Sequence, residues 1–161
     1  MGRVNNKVAL VTGGASGVGK ETVELLLKEG AYVAFGDIDV QAGEALAKAC
    51  GERALFLRHD VSNEAEWQEV IAKVQAHFGP LDILINNAGI LLPGSIETAT
   101  LAQFRQLMQV NADSCFLGCQ QGIAAMKERG GSIVNMASVS TWLPIEGYAG
   151  YSASKAAVAA L

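Results

Sequence analysis

The sequence predicts an α/β protein built on a doubly wound, Rossmann-like parallel sheet. Three observations carry that prediction. Short apolar runs alternate with amphipathic stretches along the chain. The apolar runs are nearly continuous, as in strands covered by helices on both faces. A glycine-rich turn lies where the first strand meets the first helix. Residues 1–161 read as one dinucleotide-binding and catalytic domain, since no repeat or low-complexity linker divides them and the length suits one core.

The first strand is predicted at 8–12, followed by a helix at 18–29 that stops at Gly30. A strand at 32–37, a helix at 41–50 and a strand at 54–60 come next. The third helix, 63–78, has Asn63 as cap and Gly79-Pro80 as terminator. A fourth strand is expected at 81–86, and a long helix at 101–129 that Gly130-Gly131 breaks. The fifth strand is placed at 132–137, ending at Ser138, and a further helix at 151–161. Repeated strand–helix–strand units imply parallel strands joined by right-handed crossovers. The last helix has no stop signal, so a C-terminally truncated fold is expected.

The formal net charge of -4 argues against a nucleic-acid partner, which needs a basic face. Cys50, Cys115 and Cys119 form no CxxC pair, and the latter two are expected to pack as small hydrophobes on one helix face. His59 and His77 sit apart and read as structural or exposed; no metal site is expected. The N-terminus lacks a signal-peptide pattern, and no apolar run approaches the about 20 residues of a membrane helix. The expectation is a cytoplasmic protein with no membrane partner.

The turn Thr12-Gly13-Gly14-Ala15-Ser16-Gly17-Val18-Gly19 offers its backbone to a pyrophosphate, with the partial positive charge of a helix N-terminus behind it. Asp37 ends the second strand, where a carboxylate accepts from ribose hydroxyls and repels a 2′-phosphate. Neither Ser16 nor Ile38 is basic, which favours NAD over NADP. Tyr151 and Lys155 are one helical turn apart, so an ammonium can stabilise a phenolate and tune it for proton transfer. Ser138 lies at the carboxyl edge of the sheet, where its hydroxyl can fix a substrate oxygen.

The chain resembles the short-chain dehydrogenase/reductases over essentially its whole length. The matching pieces are Thr12-Gly13-x-x-x-Gly17-x-Gly19, Asp60-Val61, Asn86-Asn87-Ala88-Gly89, Asn111, Ser138 and Tyr151-x-x-x-Lys155. Within the family, residues 118–127 and 135–146 resemble its bacterial hydroxysteroid dehydrogenases. The resemblance implies that Tyr151 is the acid/base, that Lys155 lowers its pKa and holds the nicotinamide ribose, and that Ser138 polarises the substrate oxygen. It implies that Asn111 supports a water linking Lys155 to solvent, that Asp60 and Val61 frame the adenine, and that Asn87, Ala88 and Gly89 close the cofactor cleft. Trp142, Leu143, Pro144 and Ile145 are expected to line an apolar substrate pocket.

The function so implied is NAD-dependent hydride transfer between nicotinamide and a secondary alcohol or ketone, with a hydroxysteroid as small-molecule substrate. A 3-oxoacyl-type reductase, expected to prefer NADPH, is the rival of the same class; a catalytically inactive dinucleotide-binding fragment is the rival of another. Similar family members continue beyond the Tyr–Lys helix and pair helices between subunits. A longer chain is therefore expected to be a homotetramer. A polypeptide stopping at Leu161 would expose a strand edge and apolar helix surface, and is expected to aggregate and be nearly inactive. Size-exclusion profiles and NAD-dependent oxidation of a hydroxysteroid by both forms check this; a monodisperse, fully active short form would refute it.

Overall fold

The computed structural model describes residues 2–161. Strand β1 (Val8–Thr12) leads into helix α1 (Gly17–Lys28), β2 (Tyr32–Asp37) into α2 (Val40–Cys50), and β3 (Ala54–Arg58) into α3 (Glu64–Phe78). After β4 (Ile83–Asn86) come α4 (Leu101–Leu107), a π-helical turn (Met108–Asp113) and α5 (Ser114–Met126). Then follow β5 (Ser132–Asn135), a 3₁₀ turn (Val139–Thr141) and α6 (Ala149–Ala160). The five strands are all parallel, in the order β3-β2-β1-β4-β5. This is the doubly wound sheet expected from the sequence.

Side chains alternate across a strand, so β1 feeds two cores. Val8 and Leu10 pack with Trp67, Val70 and Val74 of α3 and Met126 of α5. Ala9 and Val11 pack on the other face with Val23 of α1 and Leu46 of α2. Every residue of β1 is buried, which explains its unbroken apolar sequence. Among the described residues β5 pairs with β4 alone. No helix among them is long and apolar enough to cross a membrane.

Three boundaries differ from the sequence reading in ways that matter for the site. The third strand ends at Arg58, because Asp60 turns its carboxylate back onto the Ser62 N–H and hydroxyl, at 3.0 and 2.7 Å. The fifth strand ends at Asn135, so Ser138 does not terminate it; Ser138 caps the following 3₁₀ turn. The long helix ends at Met126 and is interrupted by the π-helical turn.

His59 follows β3 and is 1% exposed, edge-on to Trp67 with ring centroids 4.6 Å apart. Trp67 in turn donates from Nε1 to the Val61 carbonyl at 2.9 Å, pinning the chain after β3 to α3. The sequence reading of His59 as structural or exposed resolves to buried, whereas His77 is exposed. Neither His59 ring nitrogen has a partner among the described residues. Burial pushes the imidazole down to about 4, against the opposing pull of Glu66 and Asp60. Between its ordinary value of 6.5 and about 4, the unfolded chain takes up a proton that the folded one refuses. Stability therefore falls as pH falls through that window, by up to about 3 kcal/mol. Urea unfolding between pH 7 and pH 4.5 should show a shallower loss for His59→Phe than for the unaltered protein; parallel curves would contradict this.

Candidate active site

The sheet order places β1 beside β4, so the connections leaving these strands diverge to opposite faces and leave a crevice at their carboxyl ends. The Thr12 hydroxyl holds that junction together. It accepts from the Asn87 and Ala88 N–H groups at 3.0 and 3.1 Å and donates to the Ile85 carbonyl at 3.4 Å. The Asn87 side chain answers by donating to the Thr12 and Gly13 carbonyls at 2.9 and 3.1 Å. Its amide is thus spent on locking the glycine-rich turn.

A cleft of about 630 Å³ opens along this edge. Its walls come from four connections. Gly13, Ser16, Val18 and Gly19 follow β1, and Asp37 and Ile38 close β2. His59, Asp60, Val61 and Ser62 follow β3, while Asn87, Ala88, Gly89 and Ile90 follow β4. Gln106, Gln109 and Val110 face them from the helical side. Of the residues expected at a cofactor, Gly17, Tyr151 and Lys155 alone do not line this cleft.

Two glycines shape its floor. Gly13 has φ +64°, and a Cβ there would come 2.9 Å from Ala88 Cα. A Cβ on Gly19 would collide with the Gly13 carbonyl. Ser16 is the N-cap of α1 yet makes no side-chain cap, so the first N–H groups of the helix keep their capacity for an anion. Asp37 braces the turn: its carboxylate accepts from the Ala15 N–H at 3.0 Å and the Asp39 N–H at 3.1 Å. Asp60 is similarly fixed, and the Ser62 hydroxyl bond holds its carboxyl below the usual range. A narrow glycine floor, uncapped helix N–H groups and a bordering carboxylate fit a dinucleotide.

Of the residues expected to do chemistry, Asn111 and Lys155 stand behind the cleft wall. A Cβ on Gly89 would lie 3.1 Å from Asn111 Oδ1 and 3.4 Å from Lys155 Nζ, so both groups abut the cleft wall. Lys155 is 6% exposed and donates from Nζ to the Met136 carbonyl at 2.7 Å. Burial pushes its ammonium below its ordinary pKa. An ammonium has three donors, so two remain after the Met136 bond. Tyr151 is half-buried one turn earlier on α6, and its carbonyl accepts from the Ser154 hydroxyl at 2.8 Å.

Asn111 sits in the π-helical turn and is buried. Its Oδ1 accepts from the Ile90 N–H at 2.7 Å; its Nδ2 donates to the Ile90 carbonyl at 3.0 Å and to Ser154 Oγ at 2.9 Å. The amide thereby ties the connection after β4 to α6. Ser138 lies on the turn against which α6 packs, and accepts from the Ser140 N–H and hydroxyl. Trp142, Leu143 and Ile145 are exposed on the same connection and do not line the cleft. Cys115 and Cys119 share a face of α5, and burial pushes the Cys115 thiol up to about 12, as befits a packing residue. The described residues contain no cluster able to hold a metal.

Four participants escaped the sequence reading: His59 in the cleft wall, the Met136 carbonyl on Lys155, Ser154 on Asn111 and Ser140 on Ser138. Ser154 and Ser140 are adjacent to, or two residues from, residues that were singled out, but neither carries a spacing signal of its own.

Comparison with known proteins shows the family of the chain. Residues 7–161 match the family described as short chain dehydrogenase. The chain is 67% identical over 159 residues to a 3-beta-hydroxysteroid dehydrogenase of Comamonas testosteroni, covering 99% of this chain and 63% of that protein. It is 40% identical over 161 residues to a 3-alpha-(or 20-beta)-hydroxysteroid dehydrogenase of Mycobacterium bovis, covering 99% of this chain and 62% of the relative. It is 38% identical over 160 residues to an NADP-dependent (R)-specific alcohol dehydrogenase of Lentilactobacillus kefiri, covering 97% and 64%. The chain thus spans less than two thirds of the length of these relatives. With the family model spanning nearly the whole chain, from the first strand through the last helix, the chain belongs to the short-chain dehydrogenases.

Proposed function

We propose that this chain is the cofactor-binding and catalytic part of an NAD(H)-dependent oxidoreductase that interconverts a secondary alcohol and its ketone, with a hydroxysteroid as substrate. The observation that carries the reading is the meeting of Lys155 and Asn111 behind Gly89, in the wall of a cleft suited to a dinucleotide. The names of the Comamonas and Mycobacterium relatives support the substrate class. So do the exposed apolar side chains of Val139, Trp142, Leu143 and Ile145 on the connection that follows Ser138, which suit a bulky apolar ligand.

The bound dinucleotide supplies or accepts the hydride. The glycine-rich turn and the N-terminus of α1 hold its pyrophosphate, while Asp60 and Val61 border the adenine. Asp37 receives the ribose hydroxyls: each carboxylate oxygen has spare acceptor capacity beyond its one backbone bond. Tyr151 exchanges the proton of the substrate oxygen. Lys155, with two donors free, stabilises the phenolate form and binds the nicotinamide ribose. Asn111 positions α6 against the connection after β4 and thereby fixes Lys155 at the cleft wall.

The preference for NAD follows from charge. The cleft is lined by Asp37 and Asp60 and, among the described residues, by no lysine or arginine. A 2′-phosphate there would face carboxylates with nothing to neutralise it. NADH should bind far more tightly than NADPH, and Asp37→Ala should narrow the difference by at least tenfold, about 1.4 kcal/mol. Fluorescence titration with both cofactors measures it; equal affinities in the unaltered protein would refute NAD specificity.

Tyr151→Phe keeps the ring and removes the ionisable hydroxyl. In a form extended beyond Leu161, turnover of a hydroxysteroid should fall about 10²–10⁴-fold while NADH binding persists. Near-normal turnover would show that Tyr151 is not the acid/base.

A further inference from the structure

Ser138 Oγ accepts two hydrogen bonds from one residue: the Ser140 N–H at 3.2 Å and the Ser140 hydroxyl at 2.9 Å. Ser140 is fully buried, and the turn that carries it is closed by the Thr141 N–H on the Ser138 carbonyl at 3.1 Å. A serine hydroxyl has one donor and two acceptor lone pairs. Ser140 therefore fills both lone pairs of Ser138 and leaves its O–H as the only open function.

We propose that Ser140 is a positioning residue that makes Ser138 a donor-only group toward substrate. This rests on the reading of Ser138 and Tyr151 given above. A donor-only Ser138 can receive a ketone oxygen, or the oxygen of an alcohol, but cannot accept an alcohol's proton. In oxidation the substrate O–H must then point at Tyr151, whose phenolate takes the proton as the carbinol C–H leaves as hydride to the nicotinamide. In reduction the Tyr151 O–H returns the proton to the oxygen that Ser138 already holds. The two donors into Oγ also polarise the Ser138 O–H, strengthening its bond to the oxygen as negative charge develops there. One buried side chain so selects a single orientation of the substrate hydroxyl and stabilises the transition state more than the ground state.

The test, in a form extended beyond Leu161, compares Ser140→Ala and Ser140→Cys with the unaltered protein in NAD-dependent oxidation of a hydroxysteroid, protiated or deuterated at the carbinol carbon. Circular dichroism and NADH affinity confirm that fold and cofactor site persist. Ser140→Ala retains the backbone donor and loses the hydroxyl, so kcat should fall about tenfold, the scale of one hydrogen bond, with KM within about twofold. The isotope effect on kcat should rise as the chemical step slows. Ser140→Cys, nearly isosteric but a weak donor, should fall between the two. Ser140→Cys with wild-type kcat, or a loss in Ser140→Ala carried by KM with an unchanged isotope effect, would mean that Ser140 only fills space and would overturn the proposal. Should Tyr151→Phe retain turnover, the acid/base reading itself fails, an outcome separate from either result at Ser140.

Discussion

The constraint on which the rest depends is the Thr12 hydroxyl at the point where the sheet reverses its winding. Strands β1 and β4 are neighbours whose connections leave toward opposite faces. Any such junction opens a gap and strands backbone N–H groups at its mouth. Thr12 collects two of those N–H groups, and Asn87 returns the favour by binding the carbonyls on the other side. The glycine turn is held from one side by this exchange and from the other by Asp37 on the Ala15 N–H. The cleft is therefore rigid because each wall is bonded to the next strand's connection, and its shape does not depend on the helices alone.

A second tier of bonds carries this rigidity inward. Asn111 clasps both backbone groups of Ile90 and reaches Ser154, so the connection after β4 and the helix bearing Tyr151 and Lys155 move as one. Lys155 is itself tied to the chain just beyond β5 through the Met136 carbonyl. Placing an ammonium where it is 6% exposed is unfavourable, and the carbonyl bond compensates in part. The same burial keeps its donors from being spent on water.

Much of this was legible in the sequence because it rests on local periodicity. The predicted bounds of β1 and β2 coincide with the observed strands, since each is an apolar run ended by turn chemistry. Asn63 caps α3 as read, accepting from the Ala65 N–H at 3.1 Å. The residues of the glycine turn, Asp37 and the pairs after β3 and β4 fall around one cleft because strand ends are where ligands reach an open sheet. What escaped was set by tertiary contact. The extension of 54–60 through His59 and Asp60 failed because Asp60 prefers its own Ser62, a bond that alternation of apolar residues does not encode. Ser138 stood too close to β5 in the sequence for its role as the cap of a separate turn to show. Asn111 lies inside a stretch of helical periodicity that does not encode its burial; the buried clasp depends on a chain segment 21 residues away.

The π-helical turn of Met108–Asp113 has a consequence for how this protein can change. Such a turn accommodates one residue more than an α-helix of the same rise, and each residue advances the helical azimuth by about 100°. Rewinding the same residues as a regular α-helix would swing the downstream face by that angle, whereas removing one residue from the turn would restore regular geometry and leave both faces near their present directions. Leu107 before the turn and Cys115, Gly118 and Met126 after it are all buried, each against its own neighbours. A regular helix of the same residues could keep one set inward only by turning the other out. The wide turn thus takes up one residue between two packing surfaces, so the phase of the helix tolerates the loss of one residue within 108–113, and only the contacts of the residue removed, above all those of Asn111, resist it.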